Sequence, residues 1–248
     1  MSPAPESPAA RQGEASPSDT ANTLPGGARP IAIVTGATGG IGRVIAADLA
    51  LDHDVLAIGR DAAWLAKLDA IEGVTALGAD LNDFATLAVL IGALPRLDVL
   101  VHCAAIAPRH TVESAAAADW QATFAVNVFA PAELSRLALP LLRAGRGQII
   151  FINSGAGLTG LGGHVVYSAS KFALKALADG LRKEEEHAGV RVSSVHPGPT
   201  SKGGEHTEDE VRSRPESVAK AVRMVVEATE DTQITTVYVR PRIELGTS

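Results

Sequence analysis

The sequence predicts a single α/β domain built on a doubly wound parallel sheet with helices on both faces. Seven short apolar runs of strand type alternate along the chain with helical patterns, and no second group of strands follows them. Such a βαβα order produces parallel strands joined by crossover helices. With 248 residues and 46% hydrophobic content, the chain is large enough to bury one such core.

The first residues of the chain have a different composition. Residues 1–29 are rich in Pro, Ala, Ser and Gly and contain one leucine and no aromatic residue. A segment with so little apolar surface cannot offset the entropy that ordering costs. We therefore predict a disordered tail over residues 1–29 and one folded domain over residues 30–248.

The charge, the length of the apolar stretches and the single cysteine indicate which partners and which compartment to expect. The net charge is −6 and the pI is about 5.6, so no basic surface suggests a nucleic acid or an anionic membrane. No apolar stretch approaches the ~20 residues that span a bilayer, and the N-terminus lacks the pattern of a signal peptide. Cys103 is the only cysteine and has no intrachain partner. We expect a soluble, cytoplasmic protein without a metal site.

The first strand, residues 31–34, leads directly into a glycine-rich turn, and the helical pattern of residues 44–49 follows. Such a turn gathers backbone N–H groups at the positive end of a helix dipole, which suits a phosphate. An ordinary βα turn is the alternative, but a glycine cluster placed between a strand and a helix favours dinucleotide binding. The candidate contacts are Gly36, Thr38, Gly40, Ile41 and Gly42.

The second strand, residues 55–58, ends at the position that contacts the adenosine ribose in a Rossmann-like fold. Gly59 leaves room there for a 2′-phosphate, and Arg60 offers it a guanidinium. This pair favours NADP over NAD. Asp61 is the counterargument, although its place suggests a cap of the next helix. Arg43 is either a second phosphate contact or a solvated helix residue.

The third and fourth strands, residues 74–77 and 97–101, also end in small or polar residues. Ligands of open α/β sheets bind at these carboxyl ends, so Asp80 and Leu81 are candidate adenine contacts. For Asp80 a turn or helix cap is an equal alternative. Ala104 lets the cofactor lie close to the sheet, and we interpret His102 as a strand-end residue near the adenosine.

A long helical pattern over residues 120–142 contains Asn127 within an apolar stretch. A buried amide needs hydrogen-bond partners. Asn127 either orders a water or a backbone carbonyl near the site, or is a satisfied structural residue.

The fifth strand, residues 148–153, is followed by Ser154, and thirteen residues later comes Tyr167-x-x-x-Lys171. Four-residue spacing on a helix puts the phenol and the ammonium on one face. A nearby ammonium favours the phenolate, so we expect the pKa of Tyr167 to be lowered and its phenol to exchange protons. Ser154 supplies a hydroxyl to the same reacting oxygen. Chance occurrence on an amphipathic helix is the alternative.

The loop between Ser154 and Tyr167 carries five glycines, with Leu161 and His164 as candidate substrate contacts. The sixth strand, residues 190–195, ends in a rigid turn whose Pro197, Gly198 and Thr200 are candidate cofactor contacts. Residues 201–214 are polar and without apolar period, as in a mobile lid. A helix over residues 215–228 and a strand over residues 234–239 complete the alternation.

Taken in order, the glycine turn, Asp80, Asn127, Ser154, Tyr167-x-x-x-Lys171 and Pro197-Gly198 resemble the motifs of a classical short-chain dehydrogenase/reductase. The resemblance spans residues 30–239. It implies that Tyr167 is the general acid/base, Lys171 lowers its pKa and holds the nicotinamide ribose, Ser154 orients the substrate carbonyl, and Asn127 belongs to a proton relay.

The resemblance also implies a homodimer or homotetramer that pairs through the helices of Asn127 and Tyr167. The chain departs from the family where the usual Asn-Asn-Ala-Gly is replaced by His102-Cys103-Ala104-Ala105. The glycine spacing also fits the extended branch that includes sugar epimerases, but too few residues follow the last strand for a substrate domain.

The expected function is hydride transfer between NADP(H) and a small-molecule carbonyl or secondary alcohol. The alternative is a cofactor-binding regulatory or scaffold protein with the same fold and little turnover.

Overall fold

The computed structural model describes residues 24–26, 28–201 and 212–243. All seven expected strands are present, each within two residues of its predicted start. They are β1 (Ile31–Thr35), β2 (Asp54–Gly59), β3 (Val74–Gly78), β4 (Val99–His102), β5 (Gln148–Ile152), β6 (Arg191–Pro197) and β7 (Thr236–Val239).

The strands form one parallel sheet in the order β3-β2-β1-β4-β5-β6-β7. The order reverses between β1 and β4, so the loops after these two strands diverge at the carboxyl edge. Such a switch point is where ligands bind in open α/β sheets. β1 is buried along its whole length, as expected for a central strand that is covered on both faces.

Helices cover both faces of the sheet. They are α1 (Gly40–Leu49), α2 (Ala62–Asp69), α3 (Phe84–Gly92), α4 (Ala117–Phe124), α5 (Ala130–Gly145), α6 (Val165–Glu185) and α7 (Pro215–Val226). Ile45 of α1 and Val222 of α7 belong to the core on one face. Leu134 of α5 and Leu174 of α6 belong to the core on the other. The predicted doubly wound fold is confirmed.

Helices α4 and α5 are joined by a π-helical segment, Ala125–Phe129, into one helical run over residues 117–145. By length and composition alone this run is long and apolar enough to cross a membrane. The expectation that no segment approaches that limit was therefore wrong, because the run reaches a mean hydropathy of 1.2 although its apolar residues are not continuous. In the fold, Leu134, Ala138 and Leu142 of this run are buried against the sheet, as in a core helix.

The folded domain begins before Pro30. Leu24, inside the predicted tail, packs partly buried against the core under α3 and α5. The Arg29 guanidinium donates to the Ala50 carbonyl at 2.7 Å and lies 3.7 Å from the Asp54 carboxylate. The rest of the predicted tail, residues 1–23 and 27, and most of the predicted lid, residues 202–211, lie outside the described residues.

Candidate active site

A cleft runs along the carboxyl edge of the sheet, above the switch between β1 and β4. It consists of two adjoining cavities of about 330 and 230 Å³. Gly36, Gly39, Cys103 and Ala105 line both, so the two cavities meet above the ends of β1 and β4.

Most of the predicted cofactor contacts line this cleft. The cavity of about 330 Å³, the wider cavity, is bordered by Gly36, Thr38, Arg60, Asp80, Leu81 and Ala104. The narrower cavity is bordered by Gly36, Gly40, Ile41, Gly42, Lys171 and Thr200, together with Tyr167. Pro197, Gly198, Ser154 and Asn127 line neither cavity.

Pro197 and Gly198 instead tie the end of β6 to β7. Pro197 is the last residue of β6, where it is paired with Val239. The Gly198 N–H donates to the Val239 carbonyl at 2.7 Å. The turn therefore holds Thr200 beside the narrower cavity, although Pro197 and Gly198 themselves do not line that cavity.

The glycine turn is held tightly against β4. Gly36 has φ +65°, and a Cβ there would lie 2.6 Å from the Ala104 Cα. A Cβ on Gly42 would overlap the Gly36 carbonyl oxygen. The Thr35 hydroxyl accepts the Cys103 N–H at 3.1 Å, which joins the two strand ends. The floor of the cleft is therefore backbone, and a ligand can approach it closely.

The start of α1 is open to an anion. Gly39 caps this helix without a side-chain hydrogen bond, and no acidic residue lies in its first turn. No carboxylate of this first turn therefore competes for the backbone N–H groups that a helix N-terminus leaves unpaired.

The end of β2 admits no acidic side chain. A Cβ on Gly59 would lie 2.5 Å from Thr38 Cγ2. Asp61 accepts the Trp64 N–H at 3.0 Å, which confirms its predicted role as the cap of α2. Arg60 is exposed beside the wider cavity and has no ion-pair partner within the described residues.

Three neighbouring side chains are placed by other contacts. Asp80 lines the wider cavity and also closes a turn, accepting the Asn82 N–H at 3.0 Å. Arg43 lies with its guanidinium 4.2 Å from the Trp64 ring centroid. His102 does not line the wider cavity, where the adenosine is expected. It is buried, stacks on Phe151 and contacts the Ser135 hydroxyl at 2.8 Å. The expectation for His102 was wrong because its side chain leaves the strand toward α5.

Ser154 and Tyr167 meet across the β5–α6 connection. Ser154 lies two residues after the end of β5 and caps a short 3-10 turn, Gly155–Gly157, where its hydroxyl accepts the Ala156 N–H at 3.1 Å. Tyr167 lies in the first turn of α6. Burial raises the pKa of Tyr167, and a side-chain hydrogen bond with Ser154 opposes that rise. The expected lowering was wrong because desolvation of the phenolate outweighs the favourable contact.

Lys171 lies one turn further along α6 and is almost fully buried. Its Nζ donates to the Ile152 carbonyl at 2.9 Å and lies 5.8 Å from the centroid of the Tyr167 ring. Burial lowers the pKa of Lys171 to about 8, and interaction with Cys103 opposes the shift. The ammonium is thus held by the strand end and is itself desolvated, so in this structure it does not lower the pKa of Tyr167.

Asn127 lies in the π-helical segment with its side chain fully satisfied. Its Oδ1 accepts the Ile106 N–H, and its Nδ2 donates to the Ile106 carbonyl and to the Ser170 hydroxyl, each at 2.9 Å. The Ser170 hydroxyl in turn donates to the Tyr167 carbonyl at 2.7 Å. Asn127 therefore ties the loop after β4 to the helix that carries Tyr167 and Lys171.

A family model described as short chain dehydrogenase matches residues 30–212. The chain belongs to this family. Ketoacyl reductase HetN of Nostoc sp. is 33% identical over 208 residues, covering 77% of this chain and 72% of HetN. A short-chain dehydrogenase/reductase structure from Corynebacterium glutamicum is 44% identical with a TM-score of 0.70, covering 86% of this chain and 100% of that one. The closed form of serine dehydrogenase complexed with NADP+ is 26% identical with a TM-score of 0.81, covering 88% and 97%.

The cleft of this short-chain dehydrogenase fits the dinucleotide that the family uses. The fit rests on the close glycine turn, the start of α1 without a side-chain cap and the absence of an acidic side chain at Gly59. The expected substrate contacts are less well placed: Leu161 is 46% exposed, and neither it nor His164 lines the cleft.

Several cleft residues were missed as site candidates, among them two with polar side chains, Cys103 and Asn153. Cys103 lines both cavities, and burial raises the pKa of its thiol to about 12, so it stays neutral. Asn153 lines the narrower cavity beside Lys171. Its place at the carboxyl end of β5, directly before Ser154, was a signal that the sequence already contained.

The burial of Lys171 predicts a pH dependence of stability. Its pKa is about 8 in the folded protein against a usual 10.5, so the unfolded chain binds more protons between these values. Stability therefore rises with pH across this window. We expect the unfolding free energy of the wild type, minus that of Lys171→Met, to increase by on the order of 3 kcal/mol between pH 7 and 11. Denaturant titrations measure it, and a flat difference would contradict the burial of a charged Lys171.

Proposed function

We propose that this protein is an NADP-dependent oxidoreductase that acts on a small-molecule carbonyl or secondary alcohol. One observation carries the proposal: a single cleft has Tyr167 and Lys171 at one end and Arg60 at the other. A proton-transferring phenol and a phosphate-binding guanidinium thus lie at opposite ends of a groove suited to a dinucleotide.

The bound nicotinamide supplies the hydride acceptor or donor. The chain itself supplies the proton and the polar contacts. Tyr167 gives its phenolic proton to the substrate oxygen in reduction and removes a proton from the hydroxyl in oxidation. Ser154, hydrogen-bonded to Tyr167, donates to the same oxygen as charge develops there, a contact whose loss typically costs ~10² or more in rate.

The raised pKa of Tyr167 keeps its phenol in the form that can donate a proton. A phenol whose pKa lies above its usual value stays protonated at neutral pH and is ready to donate. Lys171 is buried beside Tyr167, and its ammonium donates to the Ile152 carbonyl. From this position it orients the ribose that carries the nicotinamide.

Three features support NADP over NAD. Thr38 leaves no space for an acidic side chain at Gly59, Asp61 is engaged as a helix cap, and Arg60 has no competing partner among the described residues. An acid that would bind the ribose 2′-hydroxyl is therefore missing from this strand end. The similar serine dehydrogenase structure contains NADP+, which agrees with this proposal.

Arg60→Ala tests the cofactor preference. We expect the Kd for NADP to rise by about tenfold or more, because a charge-assisted contact to the 2′-phosphate is lost, while the Kd for NAD changes little. Titration calorimetry with both nucleotides measures it. Arg136→Ala is the control, since Arg136 is exposed, pairs with Glu133 and lines neither cavity. Equal weakening of both nucleotides by Arg60→Ala would refute the 2′-phosphate role.

The activity itself is tested by NADPH consumption across a panel of ketones, aldehydes and ketoacyl thioesters. NADPH-dependent reduction of one or more of them is expected. Binding of NADPH without turnover of any carbonyl, or of any alcohol with NADP, would favour the cofactor-binding regulatory or scaffold protein instead.

We also propose that the protein is a homodimer or homotetramer and that it works in the cytoplasm. Exposed aromatic side chains support self-association: Phe129 in the segment of Asn127 is 57% exposed, and Phe172 on α6 is 44% exposed. Cys103 is a free thiol, which agrees with a reducing compartment.

A further inference from the structure

Asn153 is a buried amide to which the part of the chain that the structure describes offers no hydrogen-bond partner. The residue is 4% exposed, and neither its Nδ2 nor its Oδ1 has a hydrogen-bond partner among the described residues. A buried amide that is unpaired in this way is destabilising, so its presence calls for a ligand that completes its bonds.

The surroundings of Asn153 place it at the reactive end of the cleft. It lines the narrower cavity together with Tyr167 and Lys171. It follows Ile152, whose carbonyl holds the Lys171 ammonium, and precedes Ser154. Gly157 makes room for it, because a Cβ there would lie 2.6 Å from the Asn153 Oδ1.

We propose that Asn153 is a positioning residue whose side-chain amide binds a hydroxyl group beside Lys171. A hydroxyl both donates and accepts, so it can donate to the Asn153 Oδ1 and accept from the Asn153 Nδ2. Two sources share this chemistry: a ribose hydroxyl at the nicotinamide end, and a water molecule that connects Lys171 to solvent. The inference rests on the proposed function, since it assigns Asn153 to the machinery of Tyr167 and Lys171.

The proposal predicts that stability and activity respond in opposite directions. Asn153→Leu keeps the branching of the side chain and removes both unpaired polar atoms. We expect the Tm of the cofactor-free protein to rise by about 2–4 °C and kcat to fall by about tenfold or more. Asn153→Ala provides the same comparison if leucine packs poorly against Gly157, with the loss of kcat retained.

Thr123→Val is the matched control. The Thr123 hydroxyl is also buried and has no partner in the described ranges of the chain, but it lies on α4 and lines neither cavity of the cleft. This variant should likewise hold or raise the Tm, and it should leave kcat unchanged.

Two further measurements separate the sources of the hydroxyl. If it belongs to the ribose, the Kd for NADP(H) rises about tenfold in Asn153→Leu. If it belongs to a water molecule, the Kd stays constant and only kcat falls.

Unchanged kcat, or a lower Tm accompanied by loss of turnover in both Asn153 variants, would overturn the proposal and leave Asn153 a structural residue. The Tm and Kd measurements need no substrate. If the wild type proves inactive, the proposed function fails separately; a Kd about tenfold higher in Asn153→Leu then still supports the proposal, and an unchanged Kd overturns it.

Discussion

Replacing Tyr167 by Phe is expected to lower kcat by about 10²–10⁴-fold while the protein still binds NADPH. The change removes only the phenolic oxygen, which is hydrogen-bonded to Ser154 beside the cleft. The ring and its place in the first turn of α6 are retained. Stopped-flow reduction of an active carbonyl and fluorescence titration of NADPH measure the two quantities.

Tyr238→Phe is the matched control, because Tyr238 is the other tyrosine of the chain and lies 56% exposed on β7. Its turnover should equal that of the wild type. Full activity in Tyr167→Phe would end the assignment of Tyr167 as the proton donor.

Gly36→Ala is expected to lower stability and abolish cofactor binding together. Gly36 has φ +65°, which costs a non-glycine residue about 1–3 kcal/mol, and its Cβ would press on the Ala104 backbone at 2.6 Å. The Ala104 atoms that this Cβ would meet belong to the backbone, so they cannot rotate away as a side chain could. A Tm fall of at least about 5 °C is expected by calorimetry, with no detectable NADP(H) binding.

Gly180→Ala is the control for this change, since Gly180 lies inside α6 and a Cβ there meets nothing within 4 Å. It should stabilise the protein by about 0.5–1 kcal/mol, as expected for alanine in a helix. A Gly36→Ala protein with wild-type Tm and affinity would show that the turn is not held against Ala104.

The cleft was predictable from the sequence because each of its parts is local. Gly36 and Gly42 stand between a strand and a helix, and Arg60 and Asp80 stand at strand ends. Parallel strands bring such ends to one edge of the sheet, so residues far apart in the chain meet without further information. The same rule does not give helix ends, and the helical run of residues 117–145 extended beyond its predicted bounds for that reason.

Side-chain environment was less predictable. Asn127 had two open interpretations, and the structure shows every polar atom of its side chain bonded, to Ile106 and Ser170. His102 ends a strand of the cleft but faces α5. Both outcomes depend on which segments pack on the far side of the sheet, and such contacts leave no local pattern.

The sequence by itself determined that this protein is a doubly wound α/β domain and that Tyr167 and Lys171 share one face of a helix, because strand order and helical spacing are properties of neighbouring residues. Only the tertiary structure decided how these groups ionise. Burial raises the pKa of Tyr167 and lowers that of Lys171, and beside them the Asn153 amide has no hydrogen-bond partner among the residues that the structure describes. Desolvation depends on distant segments that exclude water, which no four-residue spacing specifies.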